Sequence, residues 1–423
     1  MTRPAEVSSA PAAADPVTRA DARRILAARG LRSFAYGMLA VVLAVTLSDD
    51  GFSAPAIGAL ITVSLAGDLC GTYLIGLYAD RWGRRRTLVV LAVVLAATGA
   101  VFALVRAYPL LLVAAFCGTL GTSGSETAPF LPIEQAILPR LAPAARRTAL
   151  FARYNLVASF ALALGALAAG LPSVLAQAGV PLATGMRLLF ALYVGAGLAV
   201  AALAAGLSPR VEVAAPTAPT LPRRALFPPL GRSRGVVLRL AALFSVDALA
   251  GGLTVQSLMV LYFHLRFGVP LAPLAALFFG ANVCSALSFL AAAPLARRFG
   301  LLNTMVFSHL PSNVLLALVP LMPVFPLAAA VLLARQALSQ MDVPTRQAYT
   351  MALVAPQEQT AAASVTSLAR SAGSATSPVV SGLLLQGPLL VLGIPFLLSG
   401  GIKAAYDLTL WRVFRRVRLP SGV

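Results

Sequence analysis

The stretch Gly76–Thr87 reads Gly-Leu-Tyr-Ala-Asp-Arg-Trp-Gly-Arg-Arg-Arg-Thr and lies between two long apolar runs. It places four arginines and one aspartate where one hydrophobic run ends and the next begins. Such a cluster is typical of a short loop at the cytoplasmic face of a membrane. Gly76 and Gly83 are spaced so that, on a helix, both lie near one face and allow a neighbouring backbone to come close.

The composition is that of an integral membrane protein. Apolar residues make up 59% of the 423 residues and charged residues only 11%, with a mean hydropathy of +0.86. A soluble domain is roughly half apolar and a quarter charged. Runs of about 20 apolar residues can cross a bilayer as helices. We predict twelve transmembrane helices, at 33–48, 54–78, 86–105, 108–130, 148–175, 184–207, 236–262, 272–295, 301–321, 323–342, 360–386 and 388–411.

The net charge of +19 is carried by basic residues that concentrate on one predicted side of the membrane. All but six of the 33 basic residues fall in the N-terminal segment, the C-terminal tail or the loops of that side. The exceptions are Arg106, Arg187 and Arg266 on the opposite side, and Arg335, Arg370 and Lys403 within spans. The positive-inside rule then predicts a multi-pass protein of the plasma (inner) membrane with both termini in the cytoplasm. This charge favours contact with anionic lipid headgroups, and its placement argues against nucleic acid as a partner.

The second half of the chain repeats the first at an offset of 212 residues. Chance similarity between alanine-rich segments is the alternative, but the matches include prolines and glutamines. The two halves begin on the same side, so they are parallel repeats. We therefore predict an all-α membrane fold of two pseudo-symmetric six-helix bundles, at 31–207 and 236–412. A disordered cytoplasmic leader (1–30), a cytoplasmic linker (208–235) and a cytoplasmic tail (413–423) complete the predicted organisation. The aligned pairs include Pro132 with Pro344, Gln135 with Gln347, Thr148 with Thr360, Ser159 with Ser371 and Gly170 with Gly382.

Twelve spans in two halves, a long middle loop and the Gly76–Thr87 stretch together resemble the major facilitator superfamily. The residues that match the family's loop signature are Gly76, Asp80, Arg81, Gly83, Arg84 and Arg85. At a nearby offset of 217 residues the corresponding segment of the second half is eroded, because Arg297 stands where the first half has Asp80. The resemblance implies alternating access, in which the two halves rock about a central site.

The resemblance also implies a conformational latch in this loop. Asp80 is expected to sit against the N-terminus of the eleventh helix while the cavity opens outward, because unpaired backbone N–H groups there attract a negative charge. Arg81, Arg84 and Arg85 are expected to brace that contact. Two patterns of proton-coupled drug exporters are missing, namely an arginine in span 4 and a Gly-Pro pair in span 5, so we do not predict a multidrug antiporter.

Ionisable residues within spans are costly and usually face a cavity or a partner. The candidate residues for substrate binding or coupling are Asp68, Glu126, Asp247, Arg335, Asp342 and Arg370. Two alternatives stay open: Asp342 and Arg346 are spaced as an ordinary surface ion pair, and Glu126 is equally consistent with a hydrated helix end. Glu134 and Arg346 occupy equivalent loop positions with opposite charge, which suggests a cytoplasmic gate between the halves.

The remaining reactive side chains do not indicate an enzyme. The three cysteines and two histidines are scattered, without metal-ligand spacing or a catalytic constellation, so we expect neither a metal nor a cofactor. We interpret His264 and His309 as structural, and Lys403 with Asp407 as a local pair on one helix. The leading prediction is a monomeric secondary transporter of a small solute, with a coupling proton. The alternative is a non-transporting membrane sensor or receptor of the same fold. Substrate charge stays open, since buried arginines favour an anion and buried acids a cation.

Overall fold

The computed structural model describes residues 16–122, 129–142, 144–212, 231, 233–355 and 358–417. These ranges contain helices and no strand, and eight helical stretches within them are long and apolar enough to cross a membrane. Grouping broken helices gives the twelve expected crossings. Eight of them are single helices: Pro16–Asp49 (helix 1), Ala54–Trp82 (helix 2), Arg84–Leu104 (helix 3), Ala144–Ala168 (helix 5), Leu182–Ala205 (helix 6), Leu271–Phe299 (helix 8), Leu301–Leu318 (helix 9) and Ile394–Phe414 (helix 12).

Four crossings are interrupted, and each is described as a first and a second segment. They are Tyr108–Cys117 and Phe130–Ile137 (helix 4), Arg234–Gly252 and Gln256–Phe267 (helix 7), Phe325–Leu338 and Asp342–Ala352 (helix 10), and Gln359–Thr376 and Pro378–Leu384 (helix 11). Short helices Leu171–Gln177 and Gly387–Leu392 lie between crossings, with 3₁₀ turns at Leu138–Arg140, Pro209–Val211 and Val319–Leu321.

Several predicted boundaries were wrong. Helix 1 begins at Pro16, so half of the predicted leader is helical, and its Asp21 carboxylate accepts bonds from the Ser208 N–H (3.1 Å) and hydroxyl (2.5 Å). This contact ties the start of helix 1 to the chain after helix 6. Helix 7 begins at Arg234, inside the predicted linker, and span 4 is not continuous. Residues 1–15 and 213–230 lie outside the described ranges.

The break in helix 7 is stabilised by hydroxyl groups from two other helices. A broken helix in a membrane leaves backbone groups that need new partners. The Ser399 hydroxyl of helix 12 donates to the Ala250 carbonyl at 2.7 Å, and the Ser377 hydroxyl of helix 11 donates to the Leu249 carbonyl at 2.6 Å. Gly252 permits this approach, because a Cβ there would lie 2.2 Å from the Ser377 hydroxyl. The interruption is therefore built into the packing of the second half.

Helix 4 ends early around a tyrosine of helix 1. The Tyr36 hydroxyl lies 2.5 Å from the Thr119 hydroxyl, and the Tyr193 hydroxyl donates to the Thr119 carbonyl at 3.0 Å. Gly121 adopts a φ of 63°, and a Cβ at this position would lie 2.4 Å from the Tyr36 ring. The positive φ and the close ring both require glycine here, so the chain leaves the helix at this point.

The two halves contact each other toward the side opposite the arginine-rich loops, which we call the far side. Helices 2 and 11 cross closely there, because a Cβ on Gly58 would lie 2.4 Å from the Pro378 carbonyl and one on Gly382 2.4 Å from the Ala54 carbonyl. The Ser257 hydroxyl of helix 7 donates to the Ala40 carbonyl of helix 1 at 2.8 Å. These contacts close the far side of the bundle.

We predict that Gly58→Val or Gly382→Val opens the far side, because either side chain clashes with the facing backbone. The opening is measured by cysteine labelling. The reporter is Gln256→Cys, next to the far-side contact, in a chain whose native cysteines are replaced by serine. An impermeant maleimide added from the far side is expected to label this cysteine faster in either valine variant. Gly195→Val, which meets no atom within 4 Å, is the matched control and is expected to change nothing. Equal labelling in all variants would contradict the assigned closure.

Candidate functional site

A cavity of about 620 Å³ lies between the two halves. Helices 1, 2 and 5 line it from the first half, and helices 7 to 12 contribute most of the polar wall from the second half. Such a volume lies within the range of small-molecule sites, roughly 300–1,000 Å³. Five of the residues predicted from the sequence line this cavity together: Asp247, Arg335, Asp342, Arg346 and Arg370.

Asp247 of helix 7 is the centre of the charged wall. It is 2% exposed, and it accepts hydrogen bonds from Lys403 Nζ of helix 12 at 2.7 Å and Arg370 Nη1 of helix 11 at 2.9 Å. Arg346 Nη1 of helix 10 lies 3.7 Å away and His309 Nε2 of helix 9 lies 4.0 Å away. One carboxylate therefore connects five helices of the second half.

Helix 10 contributes a second acidic group and an arginine with a different environment. Asp342 Oδ2 accepts a bond from Arg346 Nη1 at 2.6 Å, and both residues are buried, so the surface-pair interpretation of these two residues was wrong. Arg335 Nη1 donates to the side-chain oxygen of Gln336. Its Nε is buried and has no hydrogen-bond partner. Arg335 therefore retains hydrogen-bonding capacity that no neighbouring carboxylate uses.

A further polar layer lies behind this wall. Asp407 Oδ1 is 2.9 Å from His309 Nδ1, and Asp407 Oδ2 accepts a bond from Asn313 Nδ2 at 2.9 Å. The predicted local pair of Lys403 and Asp407 was therefore wrong, because the two side chains bind different helices. His309 also lines the cavity, so its interpretation as a purely structural residue outside the site was wrong.

The first half contains an ion pair of the reverse polarity. Arg32 of helix 1 donates to Glu134 of helix 4 through both terminal nitrogens at 2.8 Å, and the Tyr154 hydroxyl of helix 5 donates to the same carboxylate at 2.5 Å. In the second half the acid is on helix 7 and the arginine on helix 10. Glu134 and Arg346 are thus each paired within their own half in this conformation, and their direct contact stays a prediction for the closed state.

The Gly76–Thr87 loop is held by a residue that the sequence did not point to. The Glu212 carboxylate accepts the backbone N–H of Arg84 at 2.7 Å and of Arg85 at 3.0 Å, which caps the start of helix 3. Gly83 has a φ of 95°, a conformation that glycine adopts readily. Asp80 is paired with Arg84 Nε at 2.7 Å and is 63% exposed.

The other latch residues, Gly76 and Arg81, lie at the end of helix 2, and Arg85 lies in the first turn of helix 3. In the described conformation the latch therefore contacts its own half. The loop does not approach the cavity.

Asp68, an acidic candidate in the first half, is not among the residues that line the cavity. Asp68 of helix 2 is 6% exposed, and its Oδ1 has no hydrogen-bond partner. The Ser64 hydroxyl one turn away is fully buried and also has no hydrogen-bond partner. Glu126 lies outside the described residues.

Lys403 and His309 are the site residues that sequence reasoning missed. Both are ionisable side chains within apolar spans, on helices that the family pattern places outside the cavity. A signal existed, because Lys403 is the single lysine among 33 basic residues. Their partners lie 156 residues away for Lys403 and 98 for His309, beyond the reach of any local pattern.

Twelve crossings in two halves around a central cavity define the fold of a membrane transport protein. The sequence model of the Major Facilitator Superfamily matches residues 25–378, and the chain belongs to that family. It is 28% identical to the uncharacterized membrane protein YJR124C of Saccharomyces cerevisiae, over 93% of this chain and 94% of that protein.

Solved structures share the fold at low sequence identity. A point mutant of the nucleoside transporter NupG superposes with a TM-score of 0.73 at 14% identity, covering 93% of this chain and all of that one. A bacterial homologue of the human lysosomal transporter Spinster, in an inward-facing and unoccupied conformation, gives a TM-score of 0.71 at 16% identity, covering 97% of this chain and all of that one. Both likenesses support the fold.

We predict that Lys403→Met lowers the free energy of unfolding by about 3–5 kcal/mol, because it removes a buried partner of Asp247. Unfolding in mixed SDS micelles measures this loss, and Lys403→Arg, which keeps the charge, is expected to recover part of it. The matched control is Arg106→Met, which breaks an exposed 2.9 Å pair with Asp50 and is expected to cost at most about 1 kcal/mol. Similar losses at the buried and the exposed pair would contradict the central place of Asp247.

Proposed function

We propose that this chain is a secondary active transporter that moves a small solute by alternating access, coupled to protons. The observation that carries the proposal is the polar cavity between two repeated halves, with far-side contacts that close one end. The protein is proposed to lie as a monomer in the plasma (inner) membrane, with both termini in the cytoplasm and anionic lipid around its arginine-rich side. On this orientation the cavity faces the cytoplasm, and the described conformation is inward-facing.

The unlatched loop supports the inward-facing assignment. Asp80 pairs with Arg84 of its own half. Glu134 and Arg346 likewise form ion pairs with residues of their own halves. In the outward-facing state we propose that Asp80 turns to the N-terminus of helix 11 at Gln359, where unpaired N–H groups attract a carboxylate. The latch thus stabilises one end state only.

We predict that Asp80→Asn shifts the population toward the inward-facing state, because the amide lacks the charge that the helix N-terminus attracts. Single-molecule FRET between dyes on the helix 2–3 loop and the start of helix 11 reports the two populations. Asp50→Asn on the far side removes one charge from an exposed pair and serves as control. An unchanged distribution in Asp80→Asn would count against the latch.

Asp68 is the residue that we propose to carry the coupling proton. Asp68 and Asp247 are both buried acids within spans, but their surroundings differ. Asp247 is bonded to Lys403 and Arg370, whereas Asp68 has a buried oxygen without a hydrogen-bond partner. A buried carboxyl group with no cation bound to it has a much lower free energy when it is protonated than when it is ionised. Intramembrane acids of this kind mark proton pathways.

We predict that Asp68→Asn abolishes proton movement while solute exchange continues, because asparagine fills the same space and cannot take up a proton. Proteoliposomes that enclose a pH-sensitive dye report proton movement when a solute is added outside. Asp49→Asn, at an exposed far-side position, is the control and is expected to behave as the wild type. Solute-driven proton movement that survives in Asp68→Asn would overturn this assignment.

The same vesicles test the proposed function itself. In a transporter, an imposed pH gradient drives at least one solute across the vesicle membrane. This flux stops when a protonophore collapses the gradient. A sensor of the same fold binds solute without flux. Protein-dependent flux supports the transporter, and binding without any flux in wild-type vesicles would favour the sensor.

A further inference from the structure

The cavity wall carries more positive than negative charge. Two carboxylates line it, Asp247 and Asp342. The permanent cations that line it are Arg29, Arg335, Arg346, Arg370 and Lys403. The excess stays positive even when Asp407, behind His309, is counted among the acids. Charge of one sign within the membrane is expensive unless something compensates it.

The two acids of the wall are already used by three of these cations. Asp247 accepts bonds from Lys403 and Arg370, and Asp342 accepts one from Arg346. Arg335 makes no ion pair in the described part of the chain. Its guanidinium donates to the Gln336 amide oxygen through Nη1, and its Nε is buried without a hydrogen-bond partner. Arg29, on the facing half, lies 4.5 Å from the centre of the Tyr154 ring.

Arg370 is the second cation with capacity to spare. Its side chain is 32% exposed, whereas Lys403 and Arg346 are each 9% exposed. Only Nη1 of its guanidinium is engaged by Asp247, and a guanidinium offers five N–H donors. Arg335 on helix 10 and Arg370 on helix 11 thus present unused donors to one cavity.

We infer that this cavity binds a small organic anion, through a carboxylate or phosphate group held by Arg335 and Arg370. The inference rests on the proposed function in that it takes the cavity as the transport site. Guanidinium groups match carboxylate and phosphate oxygens with paired hydrogen bonds, which favours these groups over a spherical anion. Hydroxyl and amide groups of Ser339, Gln340 and Ser371 also line the wall and suit a polar solute body.

In the described conformation the Asp247 carboxylate binds Arg370 in the way that we infer for the substrate. It holds Arg370 until an incoming anion competes for the same guanidinium. Substrate binding therefore replaces the Asp247 carboxylate at Arg370 with a carboxylate or phosphate group of the substrate, while Lys403 keeps its bond to Asp247. An anion bound at Arg370 lowers the net positive charge of the cavity wall, which a neutral or cationic solute cannot do.

Matched pairs of probes test the inference on the purified full-length chain. Glucose 6-phosphate is compared with glucose, benzoate with benzyl alcohol, and tetraethylammonium serves as the cationic probe. The anionic member of at least one pair is expected to raise the Tm and to bind, while its neutral partner and the cation do not. A response to the phosphate or to the carboxylate identifies the headgroup, and either supports the inference.

Arg335→Gln is expected to weaken binding of the responding anion by about tenfold or more, since a lost charged hydrogen bond costs roughly 1.5–3 kcal/mol. Arg187→Gln, an exposed arginine outside the cavity, is the matched control and is expected to bind as the wild type. The absence of any anion effect, equal binding of neutral probes, or unchanged anion affinity in Arg335→Gln overturns the inference.

Lys403 supplies a second measurement that does not depend on folding of a variant. It is the single lysine of the chain and it lines the cavity. The rate at which an amine-acylating reagent modifies Lys403, followed by mass spectrometry, therefore reports access to the cavity. The responding anion is expected to slow acylation of Lys403, and its neutral partner is not; equal rates with both would contradict the site. Anion binding without flux in vesicles would leave this site standing and remove the transporter, whereas flux of neutral solutes without anion binding would do the reverse.

Discussion

The structure of the second half depends on one buried carboxylate. Asp247 bonds to Lys403 and Arg370, and Arg346 and His309 lie within 4.0 Å of it. A buried charge is tolerated only when it is paired and hydrogen-bonded, so these helices cannot separate independently without exposing an uncompensated charge. The bundle is therefore constrained to move as a unit, which a rocking mechanism requires.

The first half satisfies the same constraint with the charges exchanged. There Glu134 of helix 4 accepts hydrogen bonds from Arg32 and Tyr154, whereas in the second half the acid lies on helix 7. The two halves differ in net charge. The Arg32–Glu134 pair of the first half is neutral, whereas the second-half wall of the cavity has an excess of cations. The repeat thus gives two similar scaffolds. The second carries the excess of cations at the cavity, and the first carries Asp68, which does not line it.

Much of the fold could be predicted from the sequence, and less of the site. Long apolar runs and the positions of arginines are local signals, and they predicted the twelve crossings, the family and five cavity residues. The helix breaks could not be predicted. In the sequence, the glycines before the helix 7 break have the pattern of ordinary helix-packing residues. The groups that stabilise the break, the hydroxyls of Ser399 and Ser377, come from other helices. The pairing of Asp247 with Lys403 was missed for the same reason, since the two residues come close only after folding.

Distances between spin labels on the two ends of the molecule test the account most directly. One pair joins the helix 2–3 loop to the start of helix 11, and the other joins the ends of helices 2 and 11 on the far side. When a proton gradient and a solute that the protein moves are present, the account predicts that a second population appears, in which the first distance is shorter and the second longer. A single unchanged distance at both ends, in vesicles that show flux, would contradict rocking of two rigid halves.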